Sequence, residues 1–332
     1  MLTLGVDIGG TSVKLAVVDQ RGRVVDRGIV PTPAVVTPRQ MAALIVQAAK
    51  PLRGAGRIRG VGVGVPGLVD VERGVVHTLV NIRGWRHVPL RRVMQAAFGI
   101  PVAVDNDVNL LALAEARFGA GRGARSLVCL ALGTGVGGAI VLDGQLYRGV
   151  TSSAGEVGHM PIERSGPRCG CGGWGCLEAY IGNRRIVARA RRLMRHRAGH
   201  LSEALTPESL SRAAARGDRL ARSLWEAVAL DLAVAVAGVV NILNPDRIVI
   251  GGGVAQAGRW LFEPLRRAVR ERAMAVPARA ARIVPAALGT DAGAIGAATL
   301  VREYMEGTRR GHVENRPRST VHSPQSESVS AI

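Results

Sequence analysis

Lysine is almost missing from this chain: of 44 basic residues only Lys14 and Lys50 are lysines, and the rest are arginines scattered along its length. Beside so much Ala, Gly and Val, that bias reads as a GC-rich coding sequence. The formal charge of +19 is therefore no built binding face, and no specific nucleic-acid partner is expected. A run of about 18 apolar residues is also missing, which argues against a membrane-spanning class. The first residues lack the basic start and small-residue cleavage site of a secretory signal, so a cytoplasmic location is expected. Cysteine is scarce, with four in the chain. Cys129, in "SLVCLAL", reads as an ordinary core residue. What is plentiful is apolar content: 47% of 332 residues is enough for one large core or two smaller ones.

Apolar β-type runs ("GVGVGV", "VAVDND", "SLVCLAL", "GAIVLDG", "RIVIGGG") alternate with helical stretches, the longest being "LARSLWEAVALDLAVAVAGVVNIL". That alternation predicts an α/β protein. From about Gly307 to Ile332 the chain is polar, Pro/Ser-rich and aperiodic, and is expected to be a disordered tail.

Two glycine turns share one grammar. "DIGGTSVK" (Asp7–Lys14) and "LGTGVGG" (Leu132–Gly138) each join strand to strand. A P-loop or dinucleotide fingerprint needs a helix after the glycines, so both of those readings fail. Paired hairpins can instead bring bare backbone N–H groups and a Thr hydroxyl against phosphate oxygens from two sides, through Gly9, Gly10, Thr11 and Gly133, Thr134, Gly135. Asp7 ends the first strand, where Mg²⁺ or its waters could bridge to those oxygens. A third cluster, Gly251, Gly252 and Gly253, runs from strand into helix and leaves room for a flat group such as adenosine.

Two further segments carry chemistry. "VAVDNDVN" puts Asp105 and Asp107 at a strand-to-helix junction, where either is a candidate base or a helix N-cap. His159, in "AGEVGHM", precedes Cys169, Cys171 and Cys176 of "CGCGGWGC". One imidazole and three thiolates make a set suited to tetrahedral Zn²⁺. With every position taken by protein, such an ion is structural. Disulfides fit poorly, because near-adjacent cysteines pair with strain and a reducing compartment disfavours them.

Taken in order, "DIGGTSVK", "DNDVN", "LGTGVGG", "AGEVGH", "CGCGGWGCLE" and "NPDRIVIGGG" resemble the ROK sugar kinases, from about Leu4 to about Glu303. The resemblance implies a two-domain, actin-like, hexokinase-type α/β fold with ATP and sugar in the cleft between the domains. One domain would span 1–118 and be rejoined by a last helix near 291–305; a larger one with the zinc loop would span 119–290. It makes Asp107 the catalytic base and Asn106 its sugar-binding neighbour, with Asp105 capping or supporting. It places Glu156, His159 and Glu178 on sugar hydroxyls, matches Gly67 and Asn81 to sugar-side segments, and sets the first turn, Lys14 included, beside the ATP phosphates. The stretch "AYIGNRRI" after Glu178 departs from the family's smaller residues, so the cleft near Asn183 is expected to differ in shape. "VNIRGW" and "ALGTDAGAIGAA" favour transfer to the 6-hydroxyl of glucose, with N-acetylmannosamine the nearest alternative and other hexoses behind it. Sugar-sensing repressors of the family carry a helix-turn-helix before the first glycine turn, for which a turn at Asp7 leaves no room. A homodimer or dimer of dimers is implied.

Overall fold

The computed structural model describes residues 1–79, 82, 84–194 and 204–309. Its first sheet begins with the glycine hairpin: β1 (Leu2–Ile8) turns into β2 (Ser12–Val18) antiparallel, with Asp7 opposite Lys14. β3 (Val24–Pro31) adds an alternating, half-exposed edge. A capping box of Thr37 and Gln40 starts α1 (Pro38–Ala49). β4 (Ile58–Val65) and β8 (Val102–Asn106) then run parallel to β1, giving the order β3-β2-β1-β4-β8. Between β4 and β8 the chain makes a small antiparallel sheet of β5 (Gly67–Asp70), β6 (Val75–Leu79) and β7 (Arg86–Val88), followed by α2 (Leu90–Phe98).

From β8 the chain enters α3 (Asp107–Phe118) and crosses to a second sheet. That sheet repeats the pattern: β9 (Leu127–Leu132) and β10 (Val136–Leu142) form the second glycine hairpin and β11 (Gln145–Tyr147) its edge, while β12 (Arg247–Gly251) lies parallel beside β9 and β13 (Arg282–Pro285) parallel beside β12. Helices α4 (Glu178–Ile181), α5 (Asn183–Met194), α6 (Pro207–Ala215), α7 (Arg219–Leu243), α8 (Arg259–Arg272) and α9 (Ala275–Ala280) pack around it. By length and composition α7 could cross a membrane, yet half of its apolar stretch is buried here. Leu224, Trp225, Val228, Leu232, Val236 and Val240 have no exposed surface, which makes α7 the core helix of this layer. Cys129 is fully buried, as its surroundings in the sequence predicted.

The last helix, α10 (Ala292–Arg309), returns to the first sheet and lies on β1 and β4. Gly5 and Gly62 sit side by side in register there, and a Cβ on either would strike the carbonyls of Ala294 and Ala297. Glycine is required at both for this close approach. The helix also runs further than expected, because a single glycine costs only about 1 kcal/mol in a helix interior and does not stop it. Gly307 and Thr308 are helical, and the Thr308 hydroxyl donates to the Tyr304 carbonyl at 2.8 Å. The rest of the expected tail, from residue 310, lies outside the described residues.

Candidate active site

The β8–α3 junction carries the central carboxylates. Three good capping residues stand in a row there, and Asn106 takes the cap: its backbone is still extended, and its Oδ1 accepts from the N–H groups of Val108 (2.8 Å) and Asn109 (3.2 Å). Its Nδ2 donates to the Gly67 carbonyl at 3.1 Å, which brings the "GVPG" segment to the junction. Asp105, fully buried, is held by the Asn106 N–H, the Asn109 amide and the guanidinium of Arg148. The capping alternative thus fails for both aspartates: Asp105 supports and Asp107 is the first helical residue.

Among the described residues Asp107 has no such cationic or carboxamide partner, and its Oδ1 accepts from the Val108 N–H at 2.9 Å. Burial, then the negative charge of Asp7, and also that of Glu156, push its carboxyl up from 3.8 to about 7. A general base works best with a pKa near the operating pH. Asp7 is raised as well, by burial, against the opposing pull of Lys14. Lys14 donates to the Thr290 carbonyl at 3.3 Å, at the approach to α10. Asp107 therefore feels the charges of both Asp7 and Glu156 across the junction, and the carboxyls of Asp107 and Asp7 are both raised above the ordinary carboxylate value. Such a group is suited to taking up a proton or a cation.

Both glycine turns border this cluster. The first is anchored by Thr32, whose hydroxyl donates to the Gly9 carbonyl (2.8 Å) and whose N–H donates to the Thr11 carbonyl (3.0 Å); Gly10 and Thr11 are exposed. The second is supported from several sides. A Cβ at Gly137, just beyond it, would press on Val108 of α3 at 2.5 Å. Glu178 Oε2 accepts from the Val136 N–H at 2.9 Å, and the Asn183 N–H donates to the Gly133 carbonyl at 2.9 Å. Gly252 packs on the carbonyl of Leu132, with φ +89, so the third glycine cluster abuts the second turn. Glu178, expected beside the sugar, thus has one oxygen committed to the turn of Gly133–Gly135. The Asn183 segment that departs from the family pattern packs on that same turn.

His159 and the three cysteines come together as their spacing suggested. Their ligand atoms all lie within 4.8 Å of one another, with Cys169 Sγ 3.7 Å from His159 Nδ1 and Cys171 Sγ 3.7 Å from Cys176 Sγ. All four cysteines of the chain are free, so the disulfide alternative is not realised. The other imidazole nitrogen, Nε2, faces Glu156 Oε2 at 4.0 Å. The histidine therefore joins the sulfur cluster to the carboxylate cluster. Asn81 lies outside the described residues.

Two residues of this region were not legible in the sequence. One is Arg148. The other is Glu115, fully buried on α3, which accepts from the N–H groups of Ala120, Ala287 and Leu288 and so stitches α3 to the segment entering α10. Both make contacts with residues far along the chain, which local pattern does not reveal. A cavity of about 1060 Å³ lies at the opposite end of the first sheet's strands, against Leu2, Arg59 and Tyr304, and holds none of these groups.

Residues 3–304 match the model of the ROK family. The chain belongs to the ROK family. A ROK relative, a glucokinase of Halalkalibacterium halodurans, is 36% identical over 93% of this chain and 97% of its own. The crystal structure of a ROK family glucokinase from Streptomyces griseus, in complex with glucose and AMPPNP, is similar with a TM-score of 0.77 and 34% identity over 91% of this chain and 100% of that one. A ROK family transcriptional regulator, homologous to the Mlc protein of Escherichia coli, gives 0.84 at 26% identity over 91% of this chain and 78% of that one. The fold is accordingly the actin-like, hexokinase-type α/β architecture that the ROK resemblance implied.

Proposed function

We propose that this ROK protein is an ATP-dependent glucokinase, transferring the γ-phosphoryl of MgATP to the 6-hydroxyl of glucose with Asp107 as the base. The observation that carries the reading is Asp107 itself, a carboxyl poised at about 7 at the head of α3 between two glycine turns. Kinship to glucokinases along nearly the whole chain supports the same reaction. The Asp107 carboxylate orients the sugar hydroxyl and takes its proton as the oxygen attacks the γ-phosphorus; the bond to the β-γ bridging oxygen breaks and ADP leaves. Backbone N–H groups of Gly9, Gly10 and Thr11 on one side and Gly133, Thr134 and Gly135 on the other cradle the phosphates, and Gly251–Gly253 face the adenosine. Asn106, Gly67, Glu156, His159 and Glu178 line the sugar side, with Asn81 beyond the described residues.

Mg²⁺ would be held through Asp7, whose burial-raised carboxyl suits a cation, and would supply charge neutralisation at the phosphates. Zn²⁺ fits His159, Cys169, Cys171 and Cys176. Two thiolates on a tetrahedral ion at about 2.3 Å stand about 3.8 Å apart, and the Cys171–Cys176 sulfur separation is 3.7 Å. With four protein ligands such an ion would be structural, and His159, Cys169, Cys171 and Cys176 would through it fix the loop that runs from Glu156 to Glu178. Domains spanning 1–118 with the last helix, and 119–290, would close on the substrates. A cytoplasmic homodimer or dimer of dimers accords with this reading.

The test is sugar-dependent ADP release with MgATP across glucose, N-acetylmannosamine, N-acetylglucosamine, fructose and mannose, with Asp107→Asn as the blank. Glucose is expected to lead. Faster turnover of N-acetylmannosamine would move the acceptor, and a folded, zinc-loaded sample inactive on every sugar would remove the kinase reading.

A further inference from the structure

We infer that Arg148 is a positioning residue for phosphoryl transfer, its guanidinium locking the Asp105–Asp107 junction to the segment that carries Glu156. The inference rests on the kinase reading above and adds a residue to it. Arg148 directly follows β11, the edge of the second sheet, whereas Asp105 is the last residue but one of β8 in the first. Nε and Nη2 of Arg148 both donate to Asp105 Oδ2, at 2.9 and 2.7 Å, so the link crosses from one sheet to the other. Asp105 has no exposed surface, and its second oxygen accepts from the Asn106 N–H (2.7 Å) and the Asn109 amide (2.9 Å). The pull of the guanidinium is thereby transmitted to the residue before Asp107 and to the first turn of α3. A buried, multiply bonded carboxylate has little freedom to shift.

The same arginine shapes the loop on its other side. Its carbonyl accepts from the Ala154 N–H at 2.9 Å, closing residues 148–154 into a tight loop. Gly149, Ser152 and Gly155 bend that loop with φ of +69, +58 and +93, and Gly155 rests against the backbone of Gly138 and Ala139. Glu156 is the next residue. One residue thus links the two: its side chain holds the support of the base, and its backbone closes the loop that leads to the sugar-side carboxylate. The ion pair of Arg189 with Asp231, at 2.8 Å, is a useful contrast: it joins α5 to α7 and touches neither carboxylate cluster. Misplacement by about 1 Å can cost about 100-fold in rate, which is the scale expected here.

The experiment uses the full, metal-loaded chain. Arg148→Lys keeps the charge and loses the two-donor grip; Arg148→Met loses both; Arg148→Met with Asp105→Asn removes the link from both ends. We expect kcat to fall about 30-fold in the lysine variant and about 100-fold in the methionine variant, with KM for ATP within about twofold of wild type. The double variant should be no slower than Arg148→Met alone, because both changes act through one contact. Wild-type kcat in a folded Arg148→Met protein with a lowered melting temperature makes the arginine merely structural and overturns the inference. So do losses that multiply in the double variant. An inactive wild type would instead sink the kinase reading, and this inference with it.

Discussion

Asp105 and Asp107 stand two residues apart and live in opposite environments. The first is sealed from solvent and saturated by a guanidinium, a carboxamide and a backbone N–H. The second accepts from the neighbouring Val108 N–H and has two carboxylates for company. A carboxylate whose acceptors are all engaged fixes geometry, and one set among like charges has its proton affinity raised into the working range. One strand end thus provides a support and a base. The sharpest way to break this contrast is Asp107→Asn, which should lower turnover by about 1000-fold while leaving sugar binding and the fold intact. Steady-state rates together with calorimetric glucose titration check it, and near-normal turnover would take the base assignment away from Asp107.

Stability should divide the two in the opposite sense. Asp105→Ala strands the Arg148 guanidinium and two further donors, and breaking a buried pair typically costs about 3–5 kcal/mol. Asp107→Asn should stabilise. The folded carboxyl titrates near 7, and in the unfolded chain it titrates near about 3.9. Between those values the unfolded state binds fewer protons, so wild-type stability falls as pH rises through that window and stays lower above it. The amide removes that penalty. Discounted for a group that is only half-buried by its side-chain exposure, the gain at pH 8 should be about 1–2 kcal/mol. Urea melts at pH 5 and pH 8 test both statements, and an Asp107→Asn protein less stable than wild type at pH 8 contradicts the second.

How much of this was legible in the sequence follows the range of the interactions. The two glycine hairpins, the α/β alternation and the set of His159 with three cysteines are written in local spacing, and they read correctly. The cap did not, because "DND" offers three residues that all cap well and only the backbone geometry selects Asn106. Arg148 was invisible for a related reason. Its partner lies 43 residues earlier on another sheet, and an arginine among 44 basic residues carries no signal of its own. Glu178 was recognised through the family pattern, yet its bond to Val136 depends on how α4 docks against β10, which no periodicity encodes.

That bond extends the contrast to a second pair. Glu178 is engaged like Asp105, whereas the Glu156 side chain is 49% exposed. Glu178→Ala should leave the Val136 N–H without its acceptor and loosen the turn of Gly133–Gly135, raising KM for ATP about tenfold, the cost of one lost charge-assisted hydrogen bond. Glu178→Gln keeps an acceptor and should largely spare ATP while weakening glucose. Equal ATP affinity in all three proteins would show that the bond does not support the phosphate side.

The smallest effect is expected at Glu156, and it probes the electrostatics most directly. Its charge is among the causes that raise the Asp107 carboxyl, after burial and Asp7. Glu156→Gln removes that charge and keeps the shape. The acidic limb of kcat/KM, which reports the free enzyme's base, is expected to rise with pH through about 7 in the wild-type protein. In the variant it should move slightly toward acid, since a half-exposed charge acts through a high effective dielectric. Salt should mimic the substitution. At an ionic strength near 1 M the screening length shrinks to about 3 Å, and the wild-type and variant midpoints should then converge, because only the charge of Glu156 distinguishes them. A midpoint that moves toward alkali, or a gap that salt does not close, would mean that Glu156 acts on Asp107 through packing or a hydrogen bond instead of through its field.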